Sequence, residues 1–244
     1  TGTDVTREAA DLVLVDDNFA SIVAAIGEGR NIFDNIRKFV HYLLATNAGE
    51  VVLMATAAFA GWPAPLTATQ LLWINLVTDG LPALALGVEP PEPELMQRAP
   101  VAARRPVISG REGVSIVARG ALVAGAGVAA FLMAWAGDAA RVDHARAVAF
   151  TVVALAQLAY AFAFRSSTRT LPALGWFSNP ALVAAVAGAA ALQVGAVTLP
   201  IAREFFGLTA PIGADWRWIV PLALAPVTVV EVGKVVRGVG WGRG

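Results

Sequence analysis

No cysteine occurs in the 244 residues, which excludes a disulfide framework, thiol catalysis and a cysteine-held metal. Histidine is almost as scarce: His41 and His144 are too few and too far apart for a zinc cluster. Charge is in short supply as well. Only 15% of the residues are Asp, Glu, Lys or Arg, where a water-soluble chain carries about a quarter. Eighteen basic side chains balance eighteen acidic ones, so no basic excess points to nucleic acid. Apolar residues take up the difference, at 57% hydrophobic with a mean hydropathy of +0.65. Such a chain must turn much of its surface to lipid, and its partner is the bilayer.

Six stretches approach the roughly 20 apolar residues needed to cross about 30 Å of hydrocarbon. They lie near 39–60, 68–88, 114–136, 146–164, 180–201 and 218–236. The expected fold is therefore an all-α polytopic membrane protein of six transmembrane helices, with both termini on one side. Arg7, Arg30, Arg37 and Lys38 precede the first span, and Arg98, Arg104, Arg105 and Arg111 follow the second. Arg165 and Arg169 follow the fourth, and Lys234, Arg237 and Arg243 mark the tail. The opposite loops hold only Arg141, Arg146, Arg203 and Arg217. This asymmetry predicts cytoplasmic termini, with Trp62, Trp135, Trp216 and Trp218 at the outer span ends, where indoles prefer to sit. Arginine far outnumbers the two lysines, and with abundant Ala, Gly and Val this points to a GC-rich bacterium and its plasma membrane.

Residues 1–38 read as a soluble piece, 39–236 as the membrane domain and 237–244 as a cytoplasmic tail. Asp11 to Asp17 has the apolar centre and acidic borders of a short strand, and Asn18 reads as the N-cap of a helix beginning at Phe19. This short α/β remnant is too small to bury a core of its own. Within the membrane domain, Gly120, Gly125, Gly127, Gly188 and Gly195 predict close helix approaches.

The informative residues are polar groups at membrane depth. Asn47 and Glu50 lie three apart in the first span; Asn75, Thr78 and Asp79 lie at i, i+3 and i+4 in the second. A charge at mid-membrane costs about 2.5–3.5 kcal/mol on insertion scales, so such residues usually line an ion path. Gly80-Leu81-Pro82 should loosen the helix just beyond Asp79 and free carbonyls there. Carboxylate, amide, hydroxyl and carbonyl oxygens form the ligand set of a hard cation such as calcium, with Glu50 and Asp79 as the charged ligands. A buried hydrogen-bond network among protonated acids is the competing reading. Gln157 in the fourth span reads as interhelical glue, and Glu231 with Lys234 as an i, i+3 ion pair. No catalytic residue is expected.

Several ordered motifs carry a resemblance. Thr1-Gly2-Thr3-Asp4-Val5-Thr6-Arg7-Glu8-Ala9-Ala10-Asp11, Asp16-Asp17-Asn18-Phe19 and Glu28-Gly29-Arg30 resemble the end of a P-type ATPase phosphorylation domain. Tyr42-Leu43-Leu44 leading to Asn47-Ala48-Gly49-Glu50 is similar to that family's fifth transmembrane helix. The run Gln70-Leu71-Leu72-Trp73-Ile74-Asn75-Leu76-Val77-Thr78-Asp79-Gly80-Leu81-Pro82-Ala83 is similar to its sixth, and the calcium-pump branch fits best. The resemblance implies that Asn47, Glu50, Asn75, Thr78 and Asp79 coordinate a transported cation, with Asp79 central. It also sets Gln157 where muscle-type calcium pumps place a glutamate, which removes one charge from one of two ion sites. The chain has no Asp-Lys-Thr-Gly-Thr motif for the phosphorylated aspartate, no Gly-Asp-Gly loop and no nucleotide-binding domain. The resemblance therefore implies the C-terminal part of a longer pump, with Mg-ATP bound by the missing N-terminal part. A different class stays open beside it: a stand-alone six-span protein that binds, passively conducts or regulates cation flow.

Overall fold

The computed structural model describes residues 3–11, 13–14, 18–99, 108–208 and 213–241, with 213 and 237–241 as backbone only. Every regular element among them is helical. In chain order these are α1 (Asp4–Glu8), α2 (Phe19–Ala60), α3 (Ala68–Trp73), a π-helical stretch (Ile74–Asp79), α4 (Gly80–Leu86), α5 (Gly110–Trp135) and α6 (Val142–Ala163). There follow α7 (Leu171–Leu174), α8 (Pro180–Thr198), α9 (Pro200–Phe206) and α10 (Gly213–Trp241). Five helices, α2, α5, α6, α8 and α10, are long and apolar enough to cross a membrane, and the protein is a multi-pass membrane protein. The remaining expected span is helical over residues 68–86, but as α3, the π-stretch and α4 in succession.

The strand expected at 11–17 lies in part outside the described residues, and Val13 and Leu14 belong to no regular element. Physically, a lone strand needs a neighbour for its backbone N–H and C=O groups, and the described elements around it are helices. The helix expected from Phe19 does start there, with the Asn18 side chain accepting from the Ala20 N–H at 3.0 Å. It then runs unbroken for 42 residues, so the basic stalk and the first apolar run form one rod about 60 Å long. Gly61 stops it by adopting φ 68°, which costs a glycine little, and the Trp62 N–H closes on the Ala57 carbonyl. Capping boxes open α3 (Thr67 with Gln70) and α5 (Ser109 with Glu112). α8 ends earlier than the expected 201: Leu199 turns extended ahead of Pro200, and α9 begins anew.

The central post of the bundle is α6, with 78% of its apolar window buried inside the chain; α8 and α10 bury only 28% and 22% of theirs. α2 crosses α5 at a backbone contact. A Cβ on Gly120 would lie 2.5 Å from the Ala45 carbonyl oxygen and 2.7 Å from the Gly49 nitrogen, so only glycine fits. Gly127 likewise faces Val153 and Leu53, whereas Gly125 and Gly188 meet nothing within 4 Å and Gly195 meets only Leu199 of its own turn. Of the five glycines expected at helix contacts, two serve there. At one end of the bundle Trp62, Trp135, Trp216 and Trp218 pack on a common cluster built from Ala126, Phe131, Ala149 and Ile219.

Candidate cation-binding site

Glu50 projects from the middle of α2 and is buried, with a relative exposure of 6%. Its Oε2 accepts from Asn75 Nδ2 at 2.7 Å and its Oε1 from Gln157 Nε2 at 3.1 Å. Asp79, at the last π-helical position, is completely buried; its Oδ1 accepts from the Tyr42 hydroxyl at 3.1 Å and its Oδ2 has no partner. Tyr42 stands about two turns before Glu50 on α2. Its hydroxyl also lies 3.4 Å from the carbonyl oxygens of Thr78 and Gln157, so it ties α2 to the π-stretch and to α6. The Gln157 side-chain Oε1 is buried and unpartnered as well. No ion pair to either carboxylate occurs among the described residues.

The π-stretch follows from a proline. Pro82 has no N–H to offer the Thr78 carbonyl four residues back, so the ladder loosens upstream of the proline. Sequence reasoning expected the loosening just beyond Asp79; it falls across Ile74–Asp79 instead. Such π-turns recur where a helix carries function. Within it Thr78 is buried, with its hydroxyl on the Ile74 carbonyl at 2.8 Å, and the Asn75 amide reaches both Glu50 and the Leu71 carbonyl.

Glu50, Asn75, Thr78, Asp79 and Gln157 are thus gathered where α2, the π-stretch and α6 meet. Asn47 is not: it is exposed, and its amide folds back on the Leu43 carbonyl at 2.7 Å. Three positions along a helix leave about 60° between side chains, enough to turn Asn47 out while Glu50 turns in. Tyr42 went unassigned in the sequence, although its place two turns from Glu50 was a usable signal. A cavity of about 450 Å³ opens between α2, the start of α5 and the end of α6, lined by charges of both signs, among them Arg37, Lys38, Arg119, Asp34, Glu92 and Glu112, and reaching Phe164. The Phe164 ring stacks edge-on to Tyr42 at 5.7 Å, so two aromatic rings separate this cavity from Asp79.

A third buried carboxylate was missed in the sequence. Glu89, just past α4, accepts at Oε1 from Arg165 (Nε 2.9 Å, Nη2 2.8 Å) and at Oε2 from Asn179 Nδ2 at 2.6 Å. Arg165 is satisfied in turn by the Gly175 carbonyl at 2.9 Å and by Ser178. Asn179, the N-cap of α8, also donates to the Ala85 carbonyl at 3.1 Å. On the α2 side, Asn35 donates to the Glu89 carbonyl at 2.8 Å, and Arg30 reaches the carbonyls of Leu95 and Arg98. The expected Glu231–Lys234 pair forms at 2.6 Å.

The family described as Cation transporting ATPase, C-terminus, matches residues 63–236. A calcium-transporting ATPase of Bacillus subtilis is 41% identical over 237 residues, covering 97% of this chain and 26% of that protein. A calcium-transporting ATPase of Listeria monocytogenes is 40% identical over the same shares, and calcium-transporting ATPase 1 of Bacillus cereus is 36% identical over 97% of this chain and 28% of its own length. The chain spans about a quarter of the length of the curated relatives it matches.

Proposed function

Because this chain belongs to the cation-transporting ATPases and corresponds to their C-terminal part, we propose that it holds the transported ion of an ATP-driven pump and that the ion is calcium. The observation that carries this reading is a pair of buried carboxylates, Glu50 and Asp79, with only neutral donors around them and oxygens to spare. A buried charge without a counter-charge costs several kcal/mol, and an arriving divalent cation removes that cost. Amides suit the exchange: Asn75 and Gln157 now offer N–H to Glu50, and rotating either amide presents its oxygen to an ion. Thr78 and the carbonyls near the π-stretch add neutral oxygens, while Asn47 turns outward and would need a rotamer change to join them.

On this reading the chain crosses the membrane six times, counting residues 68–86, with both ends cytoplasmic in a bacterial plasma membrane. Mg-ATP is handled by the rest of a pump of which this chain spans about a quarter. Phosphorylation elsewhere moves the stalk of α2. That motion re-aims Glu50 against Asp79, and the two arrangements differ in affinity, as alternating access requires. Asp79→Asn in the full-length pump is expected to abolish calcium-dependent phosphorylation by ATP while leaving phosphorylation from inorganic phosphate. Calcium-dependent phosphorylation at the unmodified level in that variant would overturn the assignment.

A further inference from the structure

Asp79 is only as well placed as the helix that carries it, and α4 has one anchor of unusual quality. Glu89 and Arg165 are 3% and 1% exposed, and every polar contact between them and their neighbours is closed. The anchor joins three elements far apart in sequence: the end of α4, the end of α6 and, through Asn179, the start of α8. Asn179 holds both the Glu89 carboxylate and the Ala85 carbonyl, so the last turn of α4 is gripped by side chain and by backbone. The stalk of α2 is hitched to the same residue by its backbone, Asn35 donating to the Glu89 carbonyl.

We infer that Glu89, clamped by Arg165 and Asn179, is a positioning residue for the cation site: it fixes α4, and with it Asp79, against α6 and α8, so that displacement of the α2 stalk shifts Glu50 relative to Asp79 and does not drag both together. This rests on the pump reading above. It goes beyond that reading because none of the three residues touches the cation site.

The test uses the full-length pump in membrane vesicles, reading the calcium concentration for half-maximal phosphorylation by ATP, with phosphorylation from inorganic phosphate as the measure of intact protein. Glu89→Gln with Arg165→Met removes both charges together, which buried pairs tolerate far better than loss of one partner. Asn179→Ala removes the grip on Ala85 and Glu89 without touching a charge. Each is expected to raise half-saturating calcium by about tenfold or more, the usual cost of losing support behind ligands, with phosphorylation from inorganic phosphate preserved. A purely structural cluster would lower both signals in parallel. Half-saturation within about twofold of the unmodified pump in either folded variant would overturn the inference, as would loss of folded protein in both. Retention of calcium-dependent phosphorylation by Asp79→Asn would instead overturn the pump-site reading itself.

Discussion

Two buried acidic sites occupy this bundle, and they are built on opposite principles. Around Glu89, in the turn that follows α4, every side-chain oxygen is met, one by a guanidinium and the other by an amide. Around Glu50 and Asp79 no described residue supplies a cation, the Asp79 Oδ2 and Gln157 Oε1 are left over, and the helix beneath is widened into a π-turn. Burial is similar at both, so desolvation penalises all three carboxylates. What differs is who brings the counter-charge. At Glu89 the chain brings its own and the result is a joint; at Glu50 and Asp79 no described residue brings one, which suits the cation site proposed above.

That contrast can be broken by stability measurements on the full-length protein in detergent. The largest effect is expected from Arg165→Met, which strands the Glu89 charge: about 3–5 kcal/mol of destabilisation, seen as a marked fall in melting temperature. Gly120→Ala comes next. Its methyl would meet the Ala45 carbonyl oxygen at 2.5 Å, and overpacking of this kind costs about 1–3 kcal/mol. The smallest shift, opposite in sign, belongs to Glu50→Gln in calcium-free buffer. Removing a buried charge that has no counter-charge should raise stability by about 1 kcal/mol, and the gain should vanish when calcium is added. If Glu50→Gln destabilised the cation-free protein as strongly as Arg165→Met, the two sites would be of one kind.

The sequence was most legible where physics acts over a few residues. Apolar runs located the helices and Asn18 the start of α2, whereas the end that Pro200 imposes on α8 was passed over. Glu50, Asn75 and Asp79 stood out because a carboxylate or amide at membrane depth is costly wherever the chain goes. Other features depended on partners remote in sequence. Glu89 and Arg165 lie 76 residues apart, and neither has a local pattern that names the other. Gly120 and Gly125 have the same small side chain, and only the course of α2 decides which one is a contact. The π-stretch shows a subtler limit: Pro82 was read correctly as a disruption, but its missing N–H is felt at the acceptor four residues earlier, so the distortion spreads upstream.

The continuity of α2 has a mechanical consequence. From Phe19 to Gly49 the rod is about 45 Å long, and Gly49 rests on Gly120 with no side chain between the two backbones. A long arm with a bare contact near one end is a lever and its fulcrum, and Glu50 is the first residue past the pivot. A sideways swing at Phe19 is scaled down by more than about tenfold before it reaches Glu50, and it arrives as a change of angle more than of position. On the pump reading proposed above, a carboxylate that alternately faces and turns from an ion needs that kind of input: a coarse excursion outside the membrane, reduced to a small displacement within it.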